Sequence, residues 1–122
     1  MQFEVRGDKP IFLQLAEALG DYVLKGVFPE ETQIPSTTEL AVSLRLNPAT
    51  TNRAVNLLVG EGILYKKRGI GMFVSTGARE VIAAKRRSAF FKDYVTPLIA
   101  ESDNLGISRE DLISMIERGY AK

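Results

Sequence analysis

Apolar and polar positions recur along this chain with two periods, and the changes between them mark out its elements. Ile11, Leu15, Ala18, Leu19, Tyr22 and Val23 fall at helical spacing. Asp8-Lys9-Pro10 opens that helix, with the proline in its first turn, where a missing N–H costs nothing. Gly26 stops it, and Val27 to Ile34 is a connection holding Pro29, Glu30 and Glu31. Ser36-Thr37-Thr38-Glu39 is a capping box, in which hydroxyl and carboxylate each accept from the other residue's N–H. It predicts a short helix with Leu40, Ala41 and Leu44 on one face. After the tight link Arg45-Leu46, Asn47 at the N-cap and Pro48 behind it start a third helix. Its Thr51, Ala54, Val55 and Leu58 form an inward stripe, and Gly60-Glu61-Gly62 closes it.

Beyond Gly62 the pattern shortens. Ile63 to Lys67 and Met72 to Ser75 flank Arg68-Gly69-Ile70-Gly71, which reads as a β-hairpin. Gly69 and Gly71 serve its turn and are not a phosphate-cradling loop, because no βαβ context surrounds them. Gly77 is a joint. A helix from about Arg79 to Glu101 follows, with Phe91, Tyr94, Val95, Leu98 and Ile99 as a dense apolar stripe. Pro97 is expected to kink that helix or break it one turn earlier. Ser102 to Gly106 is a turn. Ser108 then caps a last helix, with Asp111 in the place of the usual Glu, and Ile107 and Leu112 make a hydrophobic staple. Leu112, Ile113 and Ile116 give this helix an apolar side. The fold class is mainly α with a small β-hairpin. A winged helix-turn-helix domain over residues 1–77 precedes a two-helix tail over residues 78–122.

Composition removes several chemistries. The chain has 122 residues, the length of one domain or of a small domain with an appendage. It has no cysteine and no histidine, so the usual ligands of zinc, haem and iron–sulfur centres are missing. Ser–His and Cys–His catalysis is excluded. Glu30-Glu31 and Glu110-Asp111 have no nucleophile beside them and read as loop solvation and helix capping. No catalytic, cofactor-binding or metal site is expected, and the chain is not read as an enzyme. Tyr65, Phe73 and Phe28 are taken as core. Apolar runs fall far short of the roughly 20 residues that span a bilayer. Met1 to Val5 lacks the basic and apolar regions of a signal peptide. A cytoplasmic protein with no membrane partner is expected.

The net charge of +1 conceals a gradient. Residues 1–44 hold three basic and seven acidic side chains. Residues 45–68 hold five basic ones, Arg45, Arg53, Lys66, Lys67 and Arg68, against Glu61 alone. The positive block thus falls on the third helix and the hairpin. In a winged helix-turn-helix the third helix enters the major groove and the wing flanks the backbone, so the cations sit where phosphates would lie.

Several fragments resemble a known family at matching spacing. Pro10-Ile11-Phe12-Leu13-Gln14-Leu15, Ile34-Pro35-Ser36-Thr37-Thr38-Glu39-Leu40-Ala41, Glu61-Gly62-Ile63 and Gly69-Ile70-Gly71-Met72-Phe73-Val74 resemble the DNA-binding domain of the GntR family of bacterial transcription regulators. Asn47-Pro48-Ala49-Thr50-Thr51-Asn52-Arg53-Ala54 is similar to the recognition segment of its YtrA-like subgroup. The family commonly has Arg where Thr38 stands, a cation at the wing tip where Ile70 stands, and Val where Thr51 stands. These departures imply weaker or differently specified DNA binding.

The resemblance implies a sequence-specific transcriptional regulator, most members of the subgroup being repressors, acting as a homodimer on a palindromic operator. The candidate DNA-facing residues are Ser36 and Thr38 at the second helix start; Ala49, Thr50, Asn52, Arg53 and Asn56 on the third helix; and Lys66, Lys67, Arg68, Gly69 and Gly71 in the wing. Arg53 can grip a phosphate or a guanine edge, and Asn52 or Asn56 can pair with adenine. Phe90, Phe91, Tyr94, Val95, Leu98, Ile99, Leu112 and Ile116 are the candidate dimer surface, because two helices cannot bury so apolar a stripe alone. The tail is read as too short for an effector domain. A small-molecule effector would have to use the dimer interface or the seam with the winged helix. A winged-helix protein-interaction module that has lost DNA binding is the alternative, favoured by Thr38 and Ile70 and opposed by Arg53 and the wing cations.

Overall fold

The structure, a computed structural model, describes residues 1–121, so position 122 of the expected tail lies outside the described residues. In chain order it holds α1 (Ile11–Leu24), α2 (Thr37–Leu44), α3 (Pro48–Gly60), β1 (Leu64–Lys67), β2 (Gly71–Val74) and α4 (Ala78–Phe90). A π-helical turn (Phe91–Val95), α5 (Thr96–Asn104) and α6 (Arg109–Tyr120) follow. Two compact units divide the chain, Met1–Ala84 and the stretch from Lys85 onward.

In the first unit α1 and α2 both pack on α3, and β1 lies against the same helix. Leu15, Leu19 and Val23 of α1 meet Leu40 of α2 and Ala54, Val55 and Leu58 of α3 in one core. Ile63, Leu64 and Val74 close it from the hairpin. Ala78 and Ile82 belong to this core as well, which carries the unit past Gly77 to Ala84. The helix α1 begins one residue later than the pattern predicts. Pro10 is its cap residue, outside the first turn, and its carbonyl accepts from Leu13 and Gln14 N–H. Ile11, at the helix end, is consequently exposed, and the buried stripe starts at Leu15.

The turn between α2 and α3 is made by Arg45 in the left-handed region at φ 54°, with Leu46 N–H bonded to the Ala41 carbonyl at 2.9 Å. Thr51 is fully buried, and its hydroxyl has a partner in the Asn47 carbonyl at 3.3 Å. A threonine at this inward position therefore leaves no polar group unsatisfied.

The hairpin pairs Leu64 with Val74, Tyr65 with Phe73, Lys66 with Met72 and Lys67 with Gly71. Ile70 N–H closes the turn on the Lys67 carbonyl at 2.9 Å, with Gly69 at φ 76°, a conformation glycine adopts without strain. The connection before α2 also joins the wing. Gln33 bridges Phe73, Ile34 N–H bonds to the Met72 carbonyl at 3.0 Å, and Val74 N–H bonds to the Thr32 carbonyl at 3.0 Å. What reads as a plain connection is tied to the outer side of β2 by an isolated bridge and these backbone bonds.

In the second unit the helix runs on through the proline but changes its hydrogen-bond register there. Pro97 has no N–H for the Asp93 carbonyl, and its ring crowds that turn. Thr96 N–H bonds five residues back to Phe91, and the chain widens into a π turn. The following helix runs on to Asn104, beyond the expected turn start at Ser102, because Leu105 N–H still bonds to the Glu101 carbonyl. Ser108 Oγ accepts from Asp111 N–H at 3.1 Å. Only this half of the box forms, since an Asp side chain is one methylene shorter than Glu. Among the described residues no helix is long and apolar enough to cross a membrane.

Candidate nucleic-acid interface

The third helix presents its two faces as the spacing predicts. Thr51, Ala54, Val55 and Leu58 are buried, while Ala49, Asn52, Arg53 and Asn56 are exposed and Thr50 is half-buried. Asn47 Oδ1 accepts from Ala49 N–H at 2.8 Å, which fixes the start of the helix. Arg53 does not simply project into solvent. Its guanidinium carbon lies 3.8 Å from the centroid of the Phe12 ring, in an open cleft lined by Ile11, Phe12, Ala49, Thr50 and Arg53. Phe12 continues the buried stripe of α1 one turn before Leu15 and Ala16, and nothing local in the sequence marks it as a partner of Arg53.

At the start of α2, Ser36 Oγ accepts from Glu39 N–H and Glu39 accepts from Ser36 N–H, both at 3.0 Å. Those bonds hold the Glu39 carboxyl below its ordinary value, so the helix start carries a negative charge. An incoming phosphate must share this end with a carboxylate, and Ser36 is already committed to the cap. Thr38 is exposed beside it.

The wing cations do not form one patch. Neighbouring residues of a strand point to opposite faces, so Lys66 and Lys67 diverge. Lys67 Nζ lies over the Phe73 ring at 4.2 Å, on the face where Tyr65 and Phe73 stack with centroids 5.9 Å apart. Tyr65 and Phe73 are thus a half-exposed pair under a lysine and not the core residues expected from sequence. Phe28 is half-buried against Tyr22. Arg68 and Gly69 are exposed at the turn, and Ile70 at the tip is 63% exposed. Gly71 sits at φ 147°, a conformation that side-chain-bearing residues rarely adopt, and the Gln33 amide beside it donates to the Ile70 carbonyl at 2.9 Å.

Glu30 and Glu31 are exposed, but each also holds backbone N–H groups. Glu31, at φ 63°, accepts from the Tyr65 hydroxyl at 2.5 Å, from Thr76 N–H at 3.0 Å and from the Thr76 hydroxyl at 2.5 Å. The Thr76 and Tyr65 bonds hold its carboxyl below the ordinary value, and the same bond pushes the Tyr65 hydroxyl above 10.0. Glu30 accepts from Gly77 N–H at 2.9 Å and Arg79 N–H at 3.2 Å, which places a negative charge at the start of α4. Together they clamp the base of the wing to the residues that follow it.

The candidate dimer residues lie in the helices after the wing. Phe90, Phe91, Tyr94, Leu98, Ile99 and Ile116 are exposed, and Val95 and Leu112 are half-buried.

Residues 12–74 match the bacterial regulatory proteins of the gntR family. The HTH-type transcriptional repressor YtrA of Bacillus subtilis is 28% identical over 96% of this chain and 89% of its own length. A structure assigned to the GntR family of transcriptional regulators, from Bacteroides thetaiotaomicron, is 35% identical with TM-score 0.71, covering 91% of this chain and 96% of that one. The DNA-binding domain of AraR in complex with operator ORX1 is 25% identical with TM-score 0.57, covering 62% of this chain and 96% of that one. With the family match spanning more than half of the residues, and a relative alike nearly end to end, the chain belongs to the GntR family of bacterial regulatory proteins.

Proposed function

We propose that this chain is a DNA-binding transcriptional repressor that acts in the bacterial cytoplasm as a homodimer on an inverted-repeat operator. The observation that carries this reading is the alignment of charge with architecture. Arg53 on the outer face of α3 and Lys66, Lys67 and Arg68 on the wing are all exposed, in the two elements such a fold lays against a duplex. The operator complex of the related AraR domain supports it. The winged unit would read DNA, with Asn52, Asn56, Ala49 and Thr50 beside Arg53 at the groove, Thr38 at the backbone and Gly69 and Gly71 shaping the wing. The exposed apolar residues of the second unit would pair two chains around a twofold axis. Relatives that are repressors support the sign of regulation. Those relatives are regulators, and no enzymatic role is assigned.

The test is transcription in vitro from a promoter overlapped by the duplex this chain selects from a random pool. Transcript should fall in step with occupancy of the site. Occupancy without loss of transcript, or with a gain, would overturn repression while leaving DNA binding intact.

A further inference from the structure

We propose that Phe12 is a positioning residue for sequence reading: its ring sets the plane of the Arg53 guanidinium so that Arg53 addresses a guanine edge. The proposal rests on the DNA-binding reading above and deepens it.

Four observations lead to it. The guanidinium carbon sits 3.8 Å above the Phe12 ring centroid, the separation of a stacked cation. Phe12 is half-buried and packs on the core that joins α1 to α3, so the ring is fixed relative to the recognition helix. Arg53 shares its cleft with Ala49 and Thr50, one turn back, so its side chain runs toward the N-terminal end of α3. That end is where a recognition helix contacts base edges. Finally, among the described residues no hydrogen bond or ion pair engages the Arg53 N–H groups.

The chemistry follows from the shape of the group. A guanidinium is a flat cation whose five donors lie in its own plane. Stacking occupies a face and leaves the in-plane donors open. Guanine presents O6 and N7 side by side in the major groove, and a bidentate arginine must bring its fork into the plane of that base pair. A ring that fixes the guanidinium plane before binding removes side-chain entropy that would otherwise be lost on the DNA. A phosphate makes no such demand, because an ammonium satisfies it as a point charge. A stacked, unpaired arginine at the head of the recognition helix is therefore arranged for a base.

The experiment uses the full chain and the duplex it enriches from a random pool, with copies in which each G·C pair is replaced by A·T. Arg53→Ala and Arg53→Lys should lose discrimination at one pair, by about 5- to 150-fold for a bidentate contact. Phe12→Leu should lose about two- to five-fold of discrimination at that same pair, the range of an exposed cation–π contact. Its salt dependence should be unchanged, since no phosphate contact is lost. Phe12→Tyr keeps a ring and should restore discrimination, and Phe12→Leu should add nothing to Arg53→Ala. Proton NMR of the free chain should show the Arg53 Hδ signals shifted upfield by the ring, normal in Phe12→Leu and restored in Phe12→Tyr. Phe12→Met fills the space without a ring and replaces Phe12→Leu if that variant unfolds. A ringless variant that keeps full discrimination, or that loses affinity equally for selected and random duplexes, overturns the proposal alone. A parent chain that enriches no duplex overturns the DNA-binding reading and this proposal with it.

Discussion

The two compact units of this chain treat their apolar residues in opposite ways. In Met1–Ala84, Leu15, Leu19, Leu40, Val55 and Val74 are each 1% exposed or less. From Lys85 onward, Ser102 is the one buried side chain among the described residues, while Phe91 and Tyr94 are 66% and 67% exposed. Each unit has a helix started by a serine cap, Ser36 in the first and Ser108 in the second, so helix formation does not separate them. What separates them is the number of layers. The first unit sets α1, α2 and the hairpin around α3 and closes a core. The second leaves its apolar faces open, and an aromatic side chain alone accounts for roughly 150–250 Å² of surface seeking cover. Monomers seldom expose a contiguous apolar patch much beyond a few hundred Å². The first unit is complete in one chain, and the second, on the reading above, is completed by a second copy.

Ending the chain after Ala84 is the severest way to break this comparison. The shortened protein should keep its fold, sediment as a monomer and lose about 10²–10⁴ in affinity for a two-half-site duplex, the gain from linking two binding events. A cut after Thr76 should behave differently. It removes Ala78 and Ile82 from the core and deletes the bond from Arg79 Nε to the Leu24 carbonyl at 2.8 Å, so the melting temperature should drop.

Single truncations sharpen the contrast at smaller cost. Leu19→Ala opens a cavity in the closed core and should remove about 2–5 kcal/mol of unfolding free energy. Phe91→Ala should leave that unfolding transition in place and instead raise the concentration at which the dimer dissociates, read by sedimentation at several dilutions.

Within the first unit, the two wing lysines should separate under salt titration. Each lost phosphate contact lowers the salt slope by about 0.9. Because Lys66 and Lys67 leave β1 on opposite faces, Lys66→Ala and Lys67→Ala should not change the slope equally. Equal changes would contradict the geometry in which Lys67 covers Phe73.

The smallest effect is one of pH. The Glu31 carboxyl titrates below 4.5 in the folded chain, because Thr76 and Tyr65 bond its ionised form. A group whose folded value is depressed adds stability above its unfolded value, and that stability is lost as pH falls through the folded one. Thermal stability of the chain should therefore decline below about pH 4.5, and Glu31→Gln should flatten that decline. An identical acid limb in the variant would show that the clamp adds no stability.

Local chemistry made most of the fold legible in the sequence. The caps at Ser36 and Asn47, the stripe from Thr51 to Leu58, the glycine turn of the wing and the irregular turn before Pro97 each depend on residues a few positions apart. The exposed faces of α3 and the wing follow from the same periodicities. What stayed hidden joins residues that only the folded chain brings together. Glu31 meets Tyr65 and Thr76 across 34 and 45 positions, Gln33 reaches Ile70 across 37, and Phe12 reaches Arg53 between two helices. A pair of acidic residues in a loop has no local feature that distinguishes a clamp from a solvated turn. The divergence of Lys66 and Lys67 is inherent in any strand, but a run of three cations read as charge alone looks like a single patch.

The most direct test of the whole account is selection of duplexes from a random pool by the full chain, followed by reading of the enriched sequence. A winged helix-turn-helix paired through a twofold axis predicts an inverted repeat whose half-site centres lie about 34 Å apart along the duplex. Enrichment of a sequence without twofold symmetry would contradict the paired arrangement, and no enrichment at all would contradict the assignment of α3 and the wing to DNA.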